Sequence, residues 1–175
     1  MKWVLAVTSL FAAVYSSTAF ADAPKVGDKA PEFKLQGSDG QEYSLAQFAG
    51  KKAVVIAWFP KAFTGGCTAE CKDMKASGAD LRKFEVAYFT ASVDDAEKNA
   101  AFAKSLELDF PILSDPTKQT AEAYGVVHAG RPVAERWTFY IGSDGKIKAV
   151  DQKVNTKEAG KDMAKQLEAL GVPKK

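Results

Sequence analysis

The chain has 175 residues, 24 Lys and Arg against 22 Asp and Glu, and a formal net charge of +2. Both signs of charge are well mixed, which argues against nucleic acid or an anionic membrane as the main partner. It carries two cysteines, with only three residues between them; a bridge closing so short a loop would restrain the unfolded chain little, so a structural staple explains the pair poorly.

In chain order, Lys2 supplies a positive start and Trp3 to Tyr15 an apolar stretch. Ser16-Ser17-Thr18-Ala19-Phe20-Ala21 follows with small residues at an A-x-A site. This pattern is that of a secretory signal peptide, and its apolar run is short for a membrane span. Residues 1–21 are therefore expected to be removed, with cleavage after Ala23 as the alternative. The product would be exported, to a periplasm or outright secreted. Residues 22–175 suit a single domain with a substantial core.

Residues 22–32, with Pro24 and Pro31, form a polar lead-in. Phe33-Lys34-Leu35 and Glu42-Tyr43-Ser44 flank Gly37-Ser38-Asp39-Gly40, a hairpin signal. Ala53 to Trp58 is unbroken apolar sequence and predicts a central strand covered on both faces. Residues 67–81 predict a helix whose inward stripe is Cys67, Cys71, Met74, Gly78 and Leu81. Glu85 to Val93 reads as a strand. Asp94 or Asp95 would cap a helix running to about Leu106.

Phe110 to Leu113 is a short extended piece closed by Ser114-Asp115-Pro116, and Thr120 to Tyr124 a short helix. Arg136 to Ile141 and Lys146 to Val150 pair around Gly142-Ser143-Asp144-Gly145. Asn155 with Glu158 would cap a last helix burying Ala159, Met163, Leu167 and Leu170. The expected fold is an α/β sandwich of thioredoxin type with an N-terminal β-hairpin extension.

The chemistry concentrates at one turn. Cys67 lies between the apolar strand and the helix, where free N–H groups and a positive dipole favour a thiolate. Cleaving a peroxide needs that thiolate, a snug pocket, donors for the oxygens and positive charge for the developing anion. Thr64 offers a hydroxyl three residues back. Gly66 lets backbone N–H groups approach a small ligand. Pro60 adds an apolar wall without an N–H.

Pro60-x-x-x-Thr64-x-x-Cys67 matches the pattern P-x-x-x-T-x-x-C, and the chain resembles the peroxiredoxins (AhpC/TSA family), in particular the Q type or bacterioferritin comigratory proteins. The flanks Trp58-Phe59-Pro60-Lys61, Ser92-Val93-Asp94, Phe110-Pro111-Ile112-Leu113-Ser114-Asp115 and Arg136-Trp137-Thr138-Phe139-Tyr140-Ile141 agree in order. The similarity spans roughly Val26 to Leu170.

The resemblance implies that Cys67 is the peroxidatic cysteine and that Thr64 hydrogen-bonds peroxide and thiolate. Pro60 would shield the pocket, Arg136 face the thiolate and Glu70 orient that arginine; Arg131 is the less suitable arginine. It also implies reduction of hydrogen peroxide and organic hydroperoxides by a monomer. The reductant would be thioredoxin-like or another dithiol, and neither cofactor nor metal would be needed.

Lowering a thiol pKa from ~8.5 to ~6 raises the thiolate fraction at pH 7 about 30-fold, but the weaker nucleophile gives back roughly 13-fold. Rate must therefore come mainly from positioning and charge stabilisation. Two features depart from the family pattern: Gly65 stands where proline is common, and Cys71 follows Cys67 by four residues rather than five. On an intact helix that spacing leaves Cβ atoms about 5–6 Å apart, whereas a disulfide needs ~3.8 Å. Resolution by Cys71 would require the first turn to unwind.

Blander readings exist. Cys71 suits a buried core position, which would leave a one-cysteine enzyme, and Glu70 suits a first helical turn. His128 is expected to be a solvated loop residue. Rival functions are a Sco-type copper protein using C-x-x-x-C, a thioredoxin-type oxidoreductase, and a binding module that kept the fold. The first lacks a histidine just before Trp137, the second would need C-x-x-C and a proline there, and the intact motif argues against the third.

Overall fold

A computed structural model describes residues 23–175. The signal peptide expected over residues 1–21 and its expected cleavage point after Ala21 lie outside the described residues. One mixed sheet of seven strands organises the molecule. The strands are β1 (Lys34–Gly37), β2 (Glu42–Ser44), β3 (Ala53–Trp58), β4 (Val86–Ser92), β5 (Ile112–Ser114), β6 (Thr138–Ile141) and β7 (Ile147–Asp151). Their order across the sheet is β2-β1-β5-β4-β3-β6-β7.

β3, β4 and β5 run parallel, while β6 pairs antiparallel with β3, and β1 antiparallel with β5. The helices are α1 (Gly65–Ala76), α2 (Gly78–Leu81), α3 (Ala96–Leu106), α4 (Gln119–Ala123) and α5 (Ala159–Ala169).

The apolar run of β3 has a direct cause. Val54, Ile56 and Trp58 enter the core on one face, with Phe89, Tyr124 and Phe139. Val55 and Ala57 enter the other, beneath Cys67, Met74, Phe102, Met163 and Leu167. A strand covered on both faces has no position left for a polar side chain. The lead-in is tied along the sheet edge by Gly27 N–H to the Ile147 carbonyl and Ala30 N–H to the Gly145 carbonyl, both 2.9 Å.

Several boundaries differ from expectation. The helix expected over 67–81 begins at Gly65, with Thr64 as its N-cap, so Cys67 is the third residue inside it. It ends at Ala76, and a separate short α2 follows. The break at Ser77 coincides with the approach of α5. A Cβ on Gly160 would lie 2.6 Å from the Ser77 Cβ and 2.7 Å from the Asp73 carbonyl oxygen. Gly160 N–H also donates to the Asp73 carboxylate at 2.9 Å. Only glycine permits this contact, which pins the C-terminal half of α1 to α5.

β5 is displaced toward Ser114, and β6 starts at Thr138, leaving Arg136 two residues ahead of it. The N-cap of α5 is Glu158; Asn155 shapes the preceding turn, its side-chain oxygen accepting from Lys157 N–H.

Candidate active site

β3 delivers the chain to the site, and Phe59 N–H makes a last sheet-like bond to the Ala91 carbonyl at 2.9 Å. Pro60 is half-buried at the start of the loop. The loop then passes through Phe63 with φ of 64°, a left-handed conformation that side-chain-bearing residues rarely adopt. Thr64 follows in extended conformation and starts α1, with Thr68 N–H closing on its carbonyl at 2.9 Å. The Thr64 hydroxyl makes no capping bond; it donates to the Lys61 carbonyl at 2.9 Å. The residue is exposed, and its hydroxyl is not spent on the helix.

Cys67 is fully buried, with 0% of its surface accessible. Arg136 Nη2 approaches its Sγ at 3.3 Å. The other guanidinium nitrogen, Nη1, pairs with Glu70 Oε2. One planar cation thus bridges a sulfur and a carboxylate three residues apart on α1, a use of the rigid fork that lysine could not reproduce. Gly66 makes room for it, since a Cβ there would lie 3.2 Å from Arg136 Nη2.

Glu70 is also fully buried, and its Oε1 has no hydrogen-bond partner. Burial pushes its pKa up to about 7, against the opposing pull of Arg136. Burial alone would lower the pKa of Arg136, but Glu70 and Cys67 more than offset it and the net shift is upward.

Cys71 sits one turn further along, buried and unbridged, as Cys67 is. Burial is the main reason its thiol pKa is strongly raised, with Glu70 and Cys67 adding to the rise and the nearby Thr90 hydroxyl opposing it. In the folded helix Cys71 is therefore a neutral thiol.

The structure gathers Cys67, Glu70 and Arg136 into direct contact, with Thr64 exposed at the N-cap of the same helix and Pro60 half-buried at the start of the loop before it. Arg131 is turned away and pairs with Glu135 at 2.9 Å. His128 is half-exposed in its loop, with Glu135 at 3.2 Å. Three further features were not anticipated. Asp94 accepts the Ala62 N–H at 2.8 Å. Phe63 packs its ring on Phe102 at 5.0 Å while staying 55% exposed. Thr156 has a methyl at the edge of the site, 4.0 Å from where a Gly66 Cβ would stand. A cleft of about 560 Å³ bounded by Lys51, Tyr140 and Leu167 lies at the other end of β3, with neither cysteine nor histidine in its walls.

A sheet with parallel β3-β4-β5, antiparallel β6, and a thiol at the first helix after β3 defines a thioredoxin-fold thiol protein. Solved structures agree. Peroxidoxin BcpB from Mycobacterium tuberculosis superposes with a TM-score of 0.76 at 26% identity, over 83% of this chain and 97% of that one. A PrxQ mutant from Xylella fastidiosa shares the fold with a TM-score of 0.79 at 19% identity, over 86% and 99%.

In sequence, the AhpC/TSA family model matches residues 26–150. Peroxiredoxin Bcp of Escherichia coli (strain K12) is 36% identical over 132 residues, 72% of this chain and 84% of that protein. Peroxiredoxin Bcp of Bacillus subtilis (strain 168) is 30% identical over 140 residues, 77% and 88%. The chain belongs to the AhpC/TSA family and is a peroxiredoxin, a thiol-dependent peroxidase. These relatives lend nothing to the copper-protein reading.

Proposed function

We propose that Cys67 is the peroxidatic thiol, acting on hydrogen peroxide and small organic hydroperoxides. The observation that carries this reading is the Arg136 guanidinium 3.3 Å from a buried sulfur. The Cys67 thiolate attacks one peroxide oxygen, the O–O bond breaks, and Cys67 becomes a sulfenic acid. The departing oxygen leaves as alkoxide or hydroxide and takes up a proton. Arg136 and the first N–H groups of α1 face the charge that moves during this step. The Thr64 hydroxyl sits at the rim with an oxygen free to accept from the incoming peroxide, Pro60 limits water, and Glu70 holds the guanidinium in plane.

Cys71 then attacks the Cys67 sulfur, forming a disulfide and releasing water, and an external dithiol, thioredoxin-like or otherwise, restores both thiols. The Cys71 thiol is neutral while buried, so this step requires α1 to unwind and expose it. Among the described residues, the exposed large hydrophobics are Val26 and Phe63, which supports a monomer without a membrane partner. The pattern of residues 2–21 supports export to a periplasm, or secretion.

Intact-mass analysis after stopped-flow mixing with hydrogen peroxide tests the cycle. Cys67→Ser should consume no peroxide while keeping its circular dichroism. Wild type should lose two hydrogens, and Cys71→Ser should gain one oxygen and then over-oxidise. Turnover by Cys67→Ser would sink the assignment of Cys67. Sulfinic acid without disulfide in wild type would make Cys71 a core residue and the enzyme a one-cysteine type.

A further inference from the structure

The loop that presents Cys67 is held in a conformation it does not favour. Phe63 stands at φ of 64°, which costs free energy for any residue with a Cβ. Gly65 and Gly66 follow, so the chain just after the strained residue is itself easily moved. Something must hold the turn. Among the described residues, one hydrogen bond joins residues 60–64 to the protein outside α1: Ala62 N–H to Asp94 Oδ2, at 2.8 Å.

Asp94 is well placed for this. Its side chain is only 11% exposed. The Ser92 hydroxyl lies 3.2 Å from Oδ2 and also takes the Asp94 N–H at 3.2 Å. Lys98, one turn into α3, pairs with Oδ1. Behind Ser92 stands Asn99, fully buried, whose side-chain nitrogen reaches the Ser92 hydroxyl at 3.1 Å and donates to the Ser114 hydroxyl at 2.9 Å. The ends of β4 and β5 and the first turns of α3 thus hold one carboxylate in a fixed direction. A charged acceptor so supported makes a stronger bond to a backbone N–H than a neutral one would. The Phe63 ring on Phe102 adds a contact to α3 itself.

We propose that Asp94 is the latch that keeps the catalytic loop closed over Cys67. It is a positioning residue: it touches neither sulfur nor peroxide and acts through Ala62 and the turn after it. Closed, the loop aims Thr64 and the start of α1 and keeps Cys67 inaccessible to anything larger than a peroxide. Released, it allows the first turn of α1 to unwind. The latch therefore affects two reactions of one thiol in opposite directions. Its effect on peroxide rests on Cys67 being the peroxidatic cysteine; its effect on accessibility does not.

The test compares Asp94→Ala with Asp94→Asn, which keeps an acceptor oxygen for Ala62. Iodoacetamide alkylation is mapped to Cys67 by peptide mass, and peroxide oxidation is followed by stopped flow. Losing a hydrogen bond to a charged group predicts roughly tenfold or larger changes in Asp94→Ala: faster alkylation of Cys67 and slower oxidation by peroxide. Asp94→Asn should lie between it and wild type. A generally loosened fold would not produce this ranking with an unchanged circular dichroism spectrum.

Alkylation within twofold of wild type in both variants overturns the latch. Faster alkylation with unchanged peroxide oxidation leaves Asp94 a gate on accessibility and overturns its effect on the peroxide step, while Cys67→Ser assayed beside it decides separately whether Cys67 is the peroxidatic thiol. Should Asp94→Ala fail to fold, Asp94→Asn and hydrogen exchange in wild type decide. Strong protection of the Ala62 amide relative to Phe63 supports the proposal, and equal exchange of the two overturns it.

Discussion

Two helices of this protein begin in opposite ways. α3 starts conventionally: the Asp95 carboxylate accepts the Lys98 N–H at 2.7 Å, and Glu97 adds negative charge in the first turn. α1 starts with its cap turned aside, the Thr64 hydroxyl donating backward to Lys61 and two glycines following. The first helix end is satisfied by its own side chains. The second leaves its donors and its positive dipole for a thiolate and an incoming oxygen. A start that would be a defect in α3 is a working surface in α1.

The contrast can be broken first at the carboxylates. Glu97 of α3 is exposed, whereas Glu70 of α1 is buried with a pKa near 7. A carboxyl whose folded pKa is raised stays protonated in the folded state while the unfolded chain ionises. Its contribution to stability is thus complete below about pH 4.5 and lost as pH rises toward 7. The loss is at most on the order of 3 kcal/mol. Glu70→Gln removes this dependence, so its stability should rise relative to wild type across that window. Urea denaturation at several pH values measures it, and parallel profiles would show that Glu70 does not titrate there.

Next come the caps. Thr64→Val should slow peroxide oxidation by roughly 10²-fold, the cost of one positioned hydrogen bond to the reacting peroxide, with little loss of stability because Thr64 makes no capping bond. Asp95→Ala should do the reverse, costing about 1 kcal/mol of stability with peroxide rates within twofold. Equal behaviour of the two variants would erase the distinction.

The smallest effect is expected at Gly65. A Cβ there meets nothing within 4 Å, so Gly65→Ala should stabilise the fold by ~0.4–1 kcal/mol. It should also slow disulfide formation, since a stiffer first turn opens less readily. Faster closure in this variant would mean that unwinding does not begin there.

Much of this arrangement was legible in the residues. The unbroken apolar run Ala53 to Trp58 pointed to a strand covered on both sides, and the spacing of Cys67, Cys71, Met74, Gly78 and Leu81 marked a buried stripe. The motif led to Arg136 and Glu70, which the fold brings together across 66 positions of sequence. What was hidden was tertiary. The end of α1 at Ala76 follows from Gly160 pressing on Ser77, a contact between distant segments. Cys67 appeared to open its helix because Gly65 and Gly66 read as loop; Thr64 supplies the cap position and carries both into the first turn. Asp94 read as a candidate helix cap beside Asp95. Asp95 has that task, and nothing local shows Asp94 facing a backbone N–H thirty-two residues away.

The seam between α1 and α5 has a consequence for any protein that must recognise the oxidised form. Asp73 is bonded to Gly160 and the two backbones lie too close for a side chain, so the C-terminal half of α1 is fastened to α5. Were the unwinding proposed for disulfide formation confined to the first turns, the sheet, α5 and the far side of the molecule would look the same in both redox states. A reductant that distinguishes them would have only the stretch from Pro60 to Lys72 to read, a short patch in which Phe63 is the exposed large hydrophobic. Selection between spent and fresh enzyme would rest on whether that one turn is wound or open, and recognition and chemistry would share the same few residues.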